Sequence, residues 1–129
     1  MRIKITVAII AIIPLQFYEA KRYLDENYHQ KIALEELCFL FNTNKTSLSM
    51  HFKQAFNKTI IGYLNALRIK STKALLRDGK YTLTQIANLM HMSSVHYLTA
   101  LFKKHTGMSP TEYVRSLQDN SSNSTIFSS

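Results

Sequence analysis

Between Cys38 and Pro110 the sequence carries ten Lys and Arg residues against one acid, Asp78. A stretch this basic does its chemistry on polyanions: nucleic acid, an anionic membrane surface or an acidic protein. Two of the cations are singled out by recurrence. Lys53 lies in "NKTSLSMHFKQAFNKTIIGYL" (residues 44–64) and Lys103 in "SSVHYLTALFKKHTGMSPTEYV" (residues 93–114), at equivalent positions of one pattern written twice. Recurrence favours phosphate contact over plain solvated charge for both. Other chemistries find no footing. The histidines at 29, 51, 91, 96 and 105 lack the short fixed intervals of a zinc site. Cys38, the single thiol, cannot close an internal disulfide and reads as a small buried residue in a reducing compartment. There is no Gly-rich phosphate loop, no paired carboxylate in the basic region, and no Cys-His or Ser-His-Asp set that ties to one site. The expectation is therefore no enzyme, no metal and no cofactor.

The elements that must position these residues read as helices throughout. Phe17, Ala20, Lys21, Leu24 and Tyr28 have amphipathic spacing, ended by "ENYHQK". "ALEELCFLF" is a short helix with Leu34, Leu37, Cys38 and Phe41 on one face. Asn42 suits a left-handed turn, Asn44 can cap the next helix, and Leu48, Phe52 and Phe56 form that helix's inner face before Asn57 repeats the stop. Residues 60–77 form the longest periodic stretch, with Ile61, Leu64, Leu67, Ile69, Ala74, Leu75 and Leu76 as apolar positions and Arg68, Lys70, Lys73 and Arg77 as polar ones, closed by Gly79. Thr82 then caps a helix with Leu83, Ile86, Ala87 and Met90 inward. Ser93 or Ser94 caps the one carrying Leu98, Leu101 and Phe102, which stops at Gly107, and Pro110 opens the last.

The two halves superpose at an offset of fifty: Leu48, Ser49, Phe52, Lys53, Asn57, Ile60 and Tyr63 against Leu98, Thr99, Phe102, Lys103, Gly107, Pro110 and Tyr113. Upstream the offset is forty-nine, pairing Leu34, Leu37 and Cys38 with Leu83, Ile86 and Ala87. Short helix, tight turn, second helix is the helix-turn-helix plan. Its second helix lies in the DNA major groove, with first-turn amides and hydroxyls toward phosphate and its outer face toward base edges. Two units joined by a stiff helix of roughly 27 Å can serve two groove segments about 34 Å apart. Tyr63 and Tyr113 are expected to pack each unit's last helix.

The sequence is an all-α chain of about seven helices, with two helix-turn-helix subdomains bridged by a long linker helix. The expected divisions are a hydrophobic arm (1–14), a first subdomain (15–58), the linker helix (59–79), a second subdomain (80–117) and a disordered tail (118–129). The arm, "MRIKITVAIIAIIP", is too short to span a bilayer as a helix. It reads as a secretory signal lacking a cleavage site, as an arm packed on the body or pairing two chains, or as the remnant of an upstream domain.

At these residues the sequence resembles the DNA-binding domain of the AraC/XylS transcription regulators. "YLTALFKKHTGMSPTEYV" carries the resemblance most specifically, "IALEELC" and "RIKSTKALLRDGKYTLTQIA" extend it, and it covers about residues 17–116. It implies a bacterial, cytoplasmic, sequence-specific regulator in stand-alone or truncated form, bound to double-stranded DNA as a monomer, with RNA polymerase a possible second partner. Carried over position by position, it implies base reading by Lys45, Thr46, Ser49 and Met50 in the first recognition helix and by Val95, His96, Thr99 and Ala100 in the second. Phosphate contacts fall to Asn44, Lys53, Ser93, Ser94, Lys103 and Lys104. The family commonly has Arg where this chain has Met50 and Ala100, so weak or A·T-leaning specificity follows. His96 is a base contact, a phosphate contact or an exposed bystander. His91 stands where the family has a turn Gly, which predicts some strain. The alternative is a degenerate helix-turn-helix module acting through contact with a regulator or polymerase.

Overall fold

The computed structural model describes residues 17–128, and the side chains of residues 17–119. All regular structure in that span is helical: α1 (residues 17–27), α2 (Leu34–Leu40), α3 (Lys45–Phe56), α4 (Ile60–Asp78), α5 (Leu83–Leu89), α6 (Val95–Thr106) and α7 (Pro110–Ser128). The arm at 1–14 lies outside the described residues. The chain divides into two compact units, Met1–Leu64 and Asn65–Ser129, with the division inside α4.

In the first unit α2 packs against α3, and the core is Phe17, Ala20, Leu24, Leu37, Leu48, Phe52, Ile60 and Leu64. Leu24, Leu48 and Phe52 are fully buried, as their three-and-four spacing requires. Aromatic rings tie the helices together. Phe52 of α3 meets Phe56 at 4.8 Å and Tyr63 of α4 at 5.9 Å, and Phe17 of α1 stacks on His51 at 5.2 Å. The Tyr63 hydroxyl donates to the Asp25 carboxylate on α1. Burial first, and then the bond to Asp25, push its pKa up to about 12.

The second unit repeats the plan. α5 packs on α6 and α6 on α7, around Ile69, Ile86, Ala87, Met90, Leu98, Leu101 and Phe102. Phe102 meets Tyr113 edge-on at 5.5 Å, the counterpart of Phe52 with Tyr63. Both tyrosines pack their unit's last helix, as their register predicts.

Backbone chemistry sets the ends of each helix. Asn42, Asn57 and His91 have φ of 49°, 57° and 53°, and Gly79 and Gly107 have 71° and 83°. Thr59 and Ser109 head α4 and α7 in the same way, their hydroxyls accepting from the Gly62 amide (3.0 Å) and the Glu112 amide (3.1 Å). Pro110 takes the first helical position, where its missing N–H would have had no partner.

Four expectations need correction. Cys38 is half-buried rather than buried, while its counterpart Ala87 is 3% exposed. Arg68, assigned to the polar side of α4, is 9% exposed, and desolvation lowers its pKa. Ile61, assigned to the apolar side, is 68% exposed, and Ala74 is exposed as well. These three misassignments on α4 arise because a helix that crosses a unit boundary does not keep one buried face along its length. The last helix, α7, runs to Ser128.

Candidate nucleic-acid interface

The N-terminus of α3 is built from its own sequence. Asn44 is extended (φ −112°, ψ 168°), and its side-chain oxygen accepts from the Ser47 amide at 2.8 Å. That bond leaves the Lys45 and Thr46 amides without an intrahelical partner, a ready anion site at the positive end of the helix dipole. The Asn44 side-chain amide also keeps its own donors. α6 begins alike, with Ser94 Oγ accepting from the Tyr97 amide at 3.1 Å. Of the two candidate caps it is therefore Ser94, and not Ser93, that closes this end. α5 starts on a reciprocal pair, Gln85 N to Thr82 Oγ1 (3.1 Å) and Thr82 N to Gln85 Oε1 (2.8 Å).

With Leu48 and Phe52 turned into the core, the opposite face of α3 presents Lys45, Thr46, Ser49, Met50 and Lys53 together, all exposed, with Asn44 at its head. On α6 the exposed set is His96, Ala100, Lys103 and Lys104, with Ser93 and Ser94 exposed ahead of it. Val95 and Thr99 are half-buried and reach solvent only in part. Neither helix contains an acidic residue. The last turns carry Lys53 on α3 and Lys103, Lys104 and His105 on α6, cations that suit a helix C-terminus.

One side chain is engaged in a way its position in the sequence does not reveal. Lys45 Nζ lies 2.6 Å from Glu35 Oε1 of α2. The hydrogen bond to Lys45 holds the Glu35 carboxyl below the usual carboxylate range, and the same bond raises the Lys45 ammonium. The neighbouring Glu36 turns the other way and accepts from the Tyr23 hydroxyl at 3.0 Å. Among the described residues no group of three or more His, Cys, Asp or Glu could hold a metal, and no helix is long and apolar enough to cross a membrane.

Comparison with known proteins agrees with this geometry. The model of a family described as a helix-turn-helix domain matches residues 37–116. The uncharacterized HTH-type transcriptional regulator YisR of Bacillus subtilis (strain 168) is 31% identical over 96 residues, 74% of this chain and 33% of that protein. The chain thus spans about a third of the length of curated relatives such as this one. Among solved structures, the C-terminal domain of AraT, a response regulator from Geobacillus stearothermophilus, has a TM-score of 0.74 at 26% identity, covering 78% of this chain and 84% of that one. The DNA-binding domain of AdpA, a global transcriptional factor in complex with a target DNA, shares the fold with a TM-score of 0.74 at 18% identity, covering 81% of this chain and 94% of that one.

Proposed function

Because this chain belongs to the AraC/XylS-type helix-turn-helix family, we propose that it is a bacterial, cytoplasmic DNA-binding transcription regulator, or the DNA-binding part of one, that presents two recognition helices to successive major-groove segments. One observation carries the reading: both α3 and α6 open on a side-chain cap, expose a polar and basic face, and contain no acid. A duplicated, capped helix free of acids suits close approach to phosphate, which positions its outer face on the base edges.

The roles divide by chemistry. Amides at the two N-termini, the Asn44 amide and the Ser93 and Ser94 hydroxyls donate to phosphate. Lys53, Lys103 and Lys104 neutralise it and release counterions. Lys45, Thr46, Ser49, Met50, His96 and Ala100 face the bases, with Val95 and Thr99 at the margin. With no Arg on either helix, the strongest guanine contact is missing, so discrimination leans on Lys45, His96, hydroxyls and apolar contact from Val95 or Met50 with thymine methyls. One chain carries both helices and binds as a monomer, with RNA polymerase as its further partner.

The test is a salt titration of binding to a duplex of about 25 base pairs, long enough for two groove segments. A DNA-binding domain gives a log-log slope of about −0.9 per phosphate neutralised. Lack of affinity at physiological salt would refute the reading and favour a module that contacts protein.

A further inference from the structure

We propose that Glu35 is a specificity-determining residue of the first recognition helix, acting as an internal competitor for Lys45. The inference rests on the DNA-binding reading above. Lys45 is the one cation in the first turn of α3, where an incoming phosphate or base edge meets the helix. Its ammonium is held at 2.6 Å by Glu35, and the two side chains are 58% and 67% exposed. The pair therefore sits in solvent at the contact surface.

The consequence follows from what each ligand can offer. A phosphate that captures Lys45 must displace the carboxylate and bring its own negative charge beside it, so the net gain from bare backbone is small. A base pair can meet both groups at once. The ammonium has three donors, and one can reach guanine O6 or N7 while another stays on Glu35; the carboxylate can in turn accept from cytosine N4. Glu35 thus makes the first helix respond to an arrangement of donors and acceptors rather than to charge alone.

The repeat shows that folding does not need this pair. At the offsets of forty-nine and fifty, Glu35 and Lys45 correspond to Thr84 and Val95. The second unit nonetheless builds the same short helix, left-handed turn residue and capped recognition helix. Glu36 supplies a matched control, having the same charge one residue away but directed to Tyr23.

The experiment compares wild type, Glu35→Gln, Lys45→Gln, the double variant and Glu36→Gln on two duplexes, one of random sequence and one selected by the wild type, across a salt series. Circular dichroism confirms the fold of each variant. Glu35→Gln is expected to tighten random-sequence binding about two- to five-fold and to steepen the salt slope by about 0.9. The selected duplex should gain less, so the specificity ratio falls, and in the Lys45→Gln background the effect should vanish. The inference is overturned if Glu35→Gln changes nothing, matches Glu36→Gln, or acts equally with and without Lys45, since that is bulk charge. If wild type shows no salt-sensitive DNA binding, the DNA-binding reading itself fails, a result distinct from any of those.

Discussion

Replacing His91 with glycine should stabilise the second unit. His91 follows α5 with φ 53° and is exposed, while its amide donates to the Asn88 carbonyl at 3.2 Å. A residue with a Cβ in the left-handed region costs roughly 1–2 kcal/mol, the lower end applying to His, and glycine avoids that cost. The greater freedom of glycine in the unfolded chain offsets about 0.5–1 kcal/mol of the gain. A net stabilisation of up to about 0.5 kcal/mol remains. For a unit of 65 residues, Asn65–Ser129, it should raise Tm by at most roughly 2–4 °C. Thermal unfolding followed by circular dichroism measures it, with His91→Ala as the opposing control: alanine keeps the Cβ, lacks the tolerance of His, and should lower Tm. If His91→Gly lowered Tm as much as His91→Ala, the strain argument would be refuted, and an imidazole contact would have to be holding the turn.

Other outcomes follow from the same geometry. Phe52→Ala and Phe102→Ala, each at a fully buried ring, should cost about 3–5 kcal/mol and unfold their own unit at growth temperature, read by denaturant titration. Ser94→Ala removes the bond to the Tyr97 amide and should cost about 1 kcal/mol in the same assay. Lys53→Gln and Lys103→Gln should each flatten the salt dependence of DNA binding by about 0.9 in slope. Tyr63 titrates in the folded protein near 12 rather than 10, so the proton it keeps stabilises the fold below pH 10, and that contribution disappears as pH rises from about 10 to about 12. Tyr63→Phe should lose less stability across this window than wild type.

What could be read in the sequence was whatever chemistry acts over four or five residues. Asn42, Asn57 and Gly107 stop helices because of their own backbone preferences, and Asn44 and Thr82 cap helices through bonds to amides three residues on. The register of the repeat likewise placed Tyr63 and Tyr113 against Phe52 and Phe102. Positions decided by tertiary packing escaped. Periodicity alone could not tell that α4 buries Arg68 and exposes Ile61, because both lie on a helix shared by two units. Glu35 carried no signal in the sequence, because its contact with Lys45 depends on how α2 crosses α3.

The central claim, two recognition helices on one chain reading DNA, is tested most directly by selecting from a pool of random-sequence duplexes of about 25 base pairs at two salt concentrations and sequencing the bound fraction. Two short enriched blocks about one helical turn apart are expected, with total binding that falls steeply as salt rises. A bound fraction indistinguishable from background at both salts would contradict it.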